Sequence, residues 1–467
     1  MLMIVRPTAD VLFKRLADGK RTHRSSRPVL SLHASIKTSL TAFVTALVTV
    51  SVLACSPGAI SGPPGRVILI GIDGATPEIV ELLISQGKLP NLAKIAKEGV
   101  GGPLRSAIPI FSPRIWNTIA TGMTPEKHGI LTFSYAGRDG RHHLFSSTHR
   151  KARALWSIAS DAGLKVGVVN FWNTYPLEKV NGVMVSDHIL AKEIEGRNEM
   201  IGTKESEVGD VVYPAEWNAR LAGLIQKSPT PLPDYPSPFA EGNDLPRWVL
   251  RDELHRRFVD DGALAHITGE VLRAETPDVA MVLLTGIDRI SHYLWSVMEP
   301  PGDYSPNLVP TEQGRAGGLK ALHAYYEYTD ALIGELIADY GPNDMVMVVS
   351  DHGFEALEAM MRLTGGHKTE KAINGVIYAR APGIAPGSVP RNVSVNDITP
   401  TILAWLGLPI AFDMDGSKAS FLDNGEIEMI DSYSSIEIEF VNADEVPSGV
   451  EADIVEQLKS LGYIDAE

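Results

Sequence analysis

Three long apolar runs, far apart in the chain, each lead into an aspartate. Val67-Ile68-Leu69-Ile70-Gly71-Ile72 is followed by Asp73-Gly74. The stretch from Asp278 through Val-Ala-Met-Val-Leu-Leu ends at Asp288, and Met345 to Val349 runs into Ser350-Asp351-His352-Gly353. A run with no polar face, rich in β-branched residues, reads as a strand buried on both sides, as in a parallel sheet. Lys165 to Phe171 and Val183 to Val185 are two further runs of this type. Helical patterns lie between them, at about Thr76 to Gln86 and Leu89 to Gly99. The alternation predicts an α/β fold: a doubly wound, largely parallel central sheet with helices on both faces. The crevice of such a sheet lies outside the carboxyl ends of its strands, so Asp73, Asp288 and Asp351 are expected along one edge.

One strand-end aspartate commonly caps the next helix. Three of them, two with a histidine close by, point to a metal site. Carboxylate oxygens suit hard or borderline cations, and histidines shift the choice towards zinc or another transition metal. His292 follows Asp288 by four residues, one helical turn. His352 abuts Asp351 in a turn that ends in Gly353. His367 lies in Thr364-Gly365-Gly366-His367-Lys368, where the glycines allow close backbone approach.

Ser112-Pro113-Arg114 supplies a different chemistry. Serine is a favoured N-cap, and proline suits the first helical position. Ile115, Trp116, Ile119 and Ala120 continue at helical spacing until Thr121-Gly122. Ser112 is therefore expected at a helix N-terminus, where free N–H groups and the helix dipole suit an anion. An ordinary capping serine has the same local appearance.

The chain has 467 residues, a formal charge of -15 and one cysteine, Cys55. The acidic balance argues against binding to duplex nucleic acid, which needs a basic face. A lone cysteine excludes a disulfide within the chain. Residues 1–38 are basic, and Ser39 to Ala54 is apolar but short for a membrane span. A basic lead before a short apolar core has the form of a secretory signal. Its end, Val52-Leu53-Ala54-Cys55, resembles a bacterial lipobox, in which the cysteine is lipidated after cleavage. A cleaved signal with an incidental cysteine is the alternative. The expected organisation is a lipoprotein-type signal over 1–54 and a tether over 55–65. A catalytic core over 66–188 and 271–425, a cap over 189–270 and a C-terminal extension over 426–467 follow. The cap is rich in proline and aromatics, with little strand signal. Pro300 to Gly318 reads as a second loop. The expected location is the bacterial cell envelope, with a membrane contact through the lipid at Cys55.

From Val67 to Met414 the chain resembles the alkaline phosphatase superfamily, in the branch of type I phosphodiesterases and nucleotide pyrophosphatases. Gly71-Ile72-Asp73-Gly74, Ser112 ten residues before Gly122, and Pro125-Glu126-Lys127-His128-Gly129-Ile130 match its motifs. So do Asp288-x-x-x-His292, Ser350-Asp351-His352-Gly353 and His367 followed by Gly375-Val-Ile-Tyr. The resemblance implies a hydrolase of phosphate esters with two divalent metal ions, zinc or else manganese. It makes Asp73, Ser112, Asp351 and His352 ligands of one metal, and Asp288, His292 and His367 ligands of the other. Ser112 is then the catalytic nucleophile.

One position departs from the pattern. Relatives that act on nucleotides hold a phosphate oxygen with an Asn about 21 residues after the nucleophile, and here Phe133 stands there. Arg114 could take that role, or else form a surface ion pair. Trp172 and Tyr175 follow a predicted strand and either stack on a substrate group or pack in the core. Ser186-Asp187-His188 copies the Ser-Asp-His triplet but has Ile189 in place of the glycine, and Asp187 reads as a turn residue. The alternatives are a phosphomonoesterase, a sulfatase-like hydrolase, or a catalytically silent lipid-anchored binding protein on the same fold.

Overall fold

The computed structural model describes residues 65–138, 142–189, 211–227, 254–357, 363–434 and 437–441. The signal, Cys55 and most of the tether lie outside them. Strands β1 (Val67–Ile72), β2 (Val100–Arg105), β5 (Val166–Val169), β6 (Gly182–Val185) and β7 (Val212–Tyr213) belong to one eight-stranded sheet. It is completed by β8 (Val279–Leu284), β9 (Met345–Val349) and β12 (Asn374–Arg380), in the order β2-β12-β9-β1-β8-β5-β6-β7, while β3 (Ser134–Ala136) with β4 (His142–Leu144) and β10 (Glu355–Ala356) with β11 (Gly365–Gly366) form separate pairs. The five strands β9-β1-β8-β5-β6 run parallel. β12 is antiparallel to both of its neighbours, and β7 is antiparallel to β6.

Alternation along the central strands explains why their runs carry no polar face. Ile68, Ile70 and Ile72 of β1 face one apolar core, and Val67 and Leu69 face the other. β8 divides in the same way, with Ala280, Val282 and Leu284 on one side and Val279, Met281 and Leu283 on the other. The first core is closed by helices α1 (Pro77–Ser85), α2 (Pro90–Glu98), α7 (His255–Glu275), α8 (Gly286–Leu294) and α9 (Glu312–Leu336). The second is closed by α3 (Ser112–Thr121), α5 (Leu155–Asp161) and α10 (Ile398–Trp405). The short α4 (Pro125–His128) follows α3, and α6 (Asn218–Lys227) follows β7. Each side chain buried here removes apolar surface from water at roughly 25 cal/mol per Å². A polar residue at any of these strand positions would face one core or the other.

The stretch 189–270, expected to stand over the sheet as a cap, joins the sheet in one described part and the core beneath it in another. β7 pairs with β6, and Phe258, Leu264 and Ile267 of α7 join the first core. The prolines at 229–246 lie outside the described residues. Pro300 to Gly318 is only partly a loop, because α9 begins at Glu312, where the Thr311 hydroxyl accepts the Gly314 N–H. Among the described residues no helix is long and apolar enough to cross a membrane.

Candidate metal centre

Strand register brings the three aspartates together. Ile72 pairs with Leu284 and Gly71 with Val349, so β1, β8 and β9 end side by side. Asp73 extends β1 by one residue and donates its N–H to Leu284 O at 2.9 Å. Asp351 comes two residues after β9. Asp288 does not end its strand: β8 stops at Leu284, and Asp288 lies in the first turn of α8. Helical spacing then sets His292 over it, with Nε2 3.3 Å from Asp288 Oδ1.

Two groups of potential ligands result. Asp288, His292 and His367 form one, and Asp73, Asp351 and His352 form the other. They adjoin, since His352 Nε2 is 3.4 Å from Asp73 Oδ1, 3.4 Å from Asp351 Oδ2 and 4.0 Å from Asp288 Oδ1. His367 Nε2 is 3.6 Å from Asp288 Oδ1, and the rings of His352 and His367 stack at 3.8 Å. All six residues are buried.

The histidine tautomers follow from their carbonyl partners. His292 Nδ1 is 2.9 Å from Gly365 O, and His352 Nδ1 is 2.9 Å from Gly353 O. A carbonyl only accepts, so each Nδ1 carries a proton and each Nε2 is left facing the carboxylates, where a proton or a cation can sit. This is the arrangement of a metal-ligating histidine fixed by an outer partner. Asp288 Oδ1, Asp351 Oδ2 and His352 Nε2 are buried without a hydrogen-bond partner. Buried polar atoms are rarely left in that condition, and a cation among them would satisfy all three. Gly365 and Gly366 make the approach feasible. A Cβ on Gly365 would press on Ser291 O and Trp295, and one on Gly366 on Leu357.

The electrostatics point the same way. Burial, and then Asp73 and Asp288, push the Asp351 carboxyl well above the usual carboxylate range. Burial pulls His352 down, but Asp351, Asp73 and Asp288 outweigh it and raise its pKa to about 10. Burial and then the positive His352 push His367 well below its ordinary value. Asp288 is raised by burial but held below the carboxylate range by His292, His367 and His352. Three carboxylates in a dry pocket need positive charge, and protons take that place when no cation does.

Ser112 lies against this cluster. Its Oγ is 3.4 Å from Asp73 Oδ1, while the Trp116 indole donates to Asp73 Oδ2 at 3.3 Å. The serine is not the N-cap. Phe111 holds that position, its carbonyl accepting the Ile115 N–H at 3.0 Å, and Ser112 and Pro113 are the first two helical residues. The hydroxyl is thereby turned from capping towards Asp73, and the Ser112 and Arg114 N–H groups precede the helical ladder.

The other expected contacts fall out differently. The Arg114 guanidinium pairs with Glu126 at 3.5 Å. Tyr175 is buried and stacks on His188 at 4.4 Å. Trp172 is half-buried and meets Phe133 edge-on at 5.6 Å, and Phe133 meets Phe111 at 6.1 Å. Phe133 thus fills an aromatic row beside Ser112 and leaves no polar donor at that position. Asp187 accepts the Asn173 N–H at 2.8 Å and the Thr174 hydroxyl at 3.2 Å, holding a turn, and belongs to neither ligand group.

Two residues that sequence reasoning passed over also shape the site. Trp116 looks like one more apolar residue on a helix, and only the fold shows its indole on Asp73. Glu355 is buried and accepts the Lys368 N–H at 2.7 Å and the Thr369 N–H at 2.6 Å, pinning the segment just after His367.

Residues 67–391 match the profile of the family described as type I phosphodiesterase / nucleotide pyrophosphatase. A phosphopentomutase of Methylobacterium radiotolerans is 31% identical over 118 residues, covering 25% of this chain and 26% of the relative. The matched stretch thus spans about a quarter of that relative's length. Among solved structures, phosphonoacetate hydrolase from Sinorhizobium meliloti is 19% identical, with 64% of this chain and 58% of that chain covered and a TM-score of 0.42. Human ectonucleotide pyrophosphatase/phosphodiesterase 5 is 12% identical, with 76% and 100% covered and a TM-score of 0.43. The family match extends over well more than half of the 467 residues, and the chain belongs to the type I phosphodiesterase / nucleotide pyrophosphatase family.

Proposed function

We propose that this protein is a metal-dependent hydrolase of phosphate esters, a phosphodiesterase or nucleotide pyrophosphatase with Ser112 as nucleophile. The observation that carries this reading is the convergence of buried, unsatisfied ligand atoms beside the Ser112 hydroxyl. Asp73, Asp351 and His352, with Ser112, would hold one divalent cation, and Asp288, His292 and His367 the other. The mixed oxygen and nitrogen donors suit zinc, with manganese as the second choice. Such cations supply positive charge for the phosphoryl oxygens and lower the pKa of the serine hydroxyl.

The chain's own residues do the rest. Ser112 Oγ attacks phosphorus, the ester oxygen departs, and the phosphoryl group is carried on the serine until water releases it. The Ser112 and Arg114 N–H groups at the start of α3 are donors for the developing charge. The Trp116 indole keeps Asp73 in one orientation. Phe111 and Trp172, both half-buried and backed by the buried Phe133, would offer an apolar surface to the esterified group. Arg114 pairs with the exposed Glu126 at 3.5 Å, a weakly held partner, and would exchange it for a phosphate oxygen of the substrate. Export and lipid anchoring at Cys55 belong to the proposal, on the strength of the basic lead, the short apolar core and the lone cysteine.

The test compares bis-p-nitrophenyl phosphate, p-nitrophenyl phosphate and p-nitrophenyl sulfate, with and without a chelator. Chelator-sensitive release of nitrophenol from a phosphate ester, fastest from the diester, is the expected result. Sulfate hydrolysis alone, or no chelator-sensitive turnover, would overturn it. The likeness to a phosphopentomutase favours one other reading, transfer of the phosphoryl group between sugar hydroxyls. Isomerisation of a pentose phosphate without release of inorganic phosphate would establish that instead. Intact-mass analysis of the envelope-extracted protein should show a diacylglyceryl group on Cys55.

A further inference from the structure

Helix α8 carries two of the proposed ligands, Asp288 and His292, and its N-terminus is held by a residue outside both ligand groups. Asp261, from the second turn of α7, is buried. Its Oδ1 accepts the Thr285 N–H at 3.2 Å and its Oδ2 accepts the Gly286 N–H at 3.2 Å. The Tyr325 hydroxyl, from α9, donates to the same Oδ2 at 2.9 Å. The cap residue of α8, Thr285, makes no side-chain cap bond of its own. The carboxylate that satisfies the first N–H groups of α8 therefore comes from another helix, 24 residues earlier in the chain.

Gly286 shows how closely this device is fitted. A Cβ there would run into the Tyr325 hydroxyl and Asp261 Oδ2. Gly286 takes no positive φ, so its lack of a side chain answers to this approach and not to backbone strain. A negative group at a helix N-terminus is stabilising, and three donors on one carboxylate make its burial tolerable. Burial still pushes the Asp261 carboxyl up to about 7. Asp260 adds to that shift, and the Tyr325, Gly286 and Thr285 donors oppose it.

We propose that Asp261, with Tyr325, is a positioning residue for the metal centre: it sets the start of α8 so that Asp288 and His292 meet His367. Neither side chain is among the proposed ligands. What they fix is where α8 begins, and the first turn of that helix is where Asp288 stands. Asparagine at 261 would keep the size but present an NH₂ to one of the donors and remove the charge from the helix terminus. Phenylalanine at 325 would remove one donor and keep the ring.

This inference rests on the metal reading above, so the experiment separates the two. Metal-free wild type, Asp261→Asn and Tyr325→Phe are titrated with Zn2+ against a chromophoric chelator, then with Co2+ to record its ligand-field spectrum. Melting of each metal-free protein serves as the control for folding. Wild type should bind two Zn2+ per chain. Asp261→Asn should weaken one of them by about ten-fold, the low end of the usual cost of losing an outer partner. It should leave the other unchanged and alter the Co2+ spectrum. Tyr325→Phe should weaken the same site by about three-fold, a fraction of that cost. If wild type binds no Zn2+, the metal reading falls and takes this inference with it. If wild type binds two and Asp261→Asn binds both with unchanged affinity and spectrum, the inference alone falls. If Asp261→Asn fails to fold, unchanged affinity and spectrum in Tyr325→Phe overturn it.

Discussion

Ser112 Oγ and Asp73 Oδ1 lie 3.4 Å apart, and that same carboxylate oxygen is 3.4 Å from His352 Nε2. A hydroxyl and an imidazole nitrogen thus share one buried oxygen, although 240 residues separate them in the chain. Ser112→Ala should lower turnover of bis-p-nitrophenyl phosphate by roughly 10³-fold or more, as losing a nucleophile does. Bound metal, counted by elemental analysis, should stay at the wild-type level. Wild-type turnover in this variant would remove Ser112 from the mechanism.

The two ligand groups should be separable. Asp288→Ala should cost the cation shared with His292 and His367, and Asp73→Ala the one shared with Asp351 and His352. Each variant should retain about one metal per chain. Loss of both from either change would mean that the groups form a single cooperative site.

Trp116→Phe removes the indole donor from Asp73 Oδ2 and keeps most of the packing against Phe171, now 5.5 Å away edge-on. An outer donor to a ligand is commonly worth 10- to 100-fold in metal affinity. The variant should therefore need roughly ten-fold more Zn2+ for half-maximal activity, with a melting temperature close to wild type. An unchanged metal requirement would show that Asp73 is held by its other neighbours.

His128 gives a stability change with pH. It is buried, its Nδ1 accepts the Ile130 N–H at 3.2 Å, and its Nε2 is 3.1 Å from the Thr118 hydroxyl. Burial, with Arg150 and Arg114 nearby, lowers its pKa to about 3. The unfolded chain takes up a proton near 6.5 and the folded one does not. This contribution is therefore complete above pH 6.5 and is lost as the pH falls from there towards 3. Between pH 7 and 5 the wild type should lose about 2 kcal/mol more than His128→Gln. Urea denaturation at both pH values measures the difference, and parallel losses would contradict it.

Arg150 and Glu178 form a buried ion pair behind α3. Arg150 also donates to Asn117 Oδ1 at 2.9 Å and to Asn173 O at 3.0 Å, and the Ser157 hydroxyl donates to Glu178. Glu178→Ala leaves the guanidinium uncompensated and should cost roughly 3–5 kcal/mol in chemical denaturation. Asn117 lies on the same helix as Ser112, so the rate should fall with the stability. A loss under 1 kcal/mol would show that Arg150 finds another partner.

Much of this molecule can be read before it folds. The runs at 67–72, 279–284 and 345–349 have no polar face, and only a sheet covered on both sides accommodates that. From there the shared edge of Asp73, Asp288 and Asp351 follows. The errors have physical sources too. Asp288 is the third residue of α8, and the one residue between β8 and that helix, Thr285, is too short a break to show in the sequence. Ser112 has the composition of an N-cap, but Phe111 can fill that role because the cap carbonyl belongs to any residue. The two-residue strand β7 is below what periodicity detects. α7 spreads its apolar residues around the helix because it is buried on several sides, so it lacks a stripe that would mark it as part of the core.

Trp116, Glu355 and Asp261 were invisible for one reason. Each acts on a partner that comes from another part of the chain, and nothing local marks the pairing. Residue order alone settles which side chains are available and which strands must be central, because hydrophobic patterning acts over a few consecutive positions. Packing in three dimensions settles the orientation of His292 on Gly365, of Asp73 on Trp116 and of α8 on Asp261. Those contacts join segments 24 to 73 residues apart, and a hydrogen bond exists only once both ends have been brought within about 3 Å.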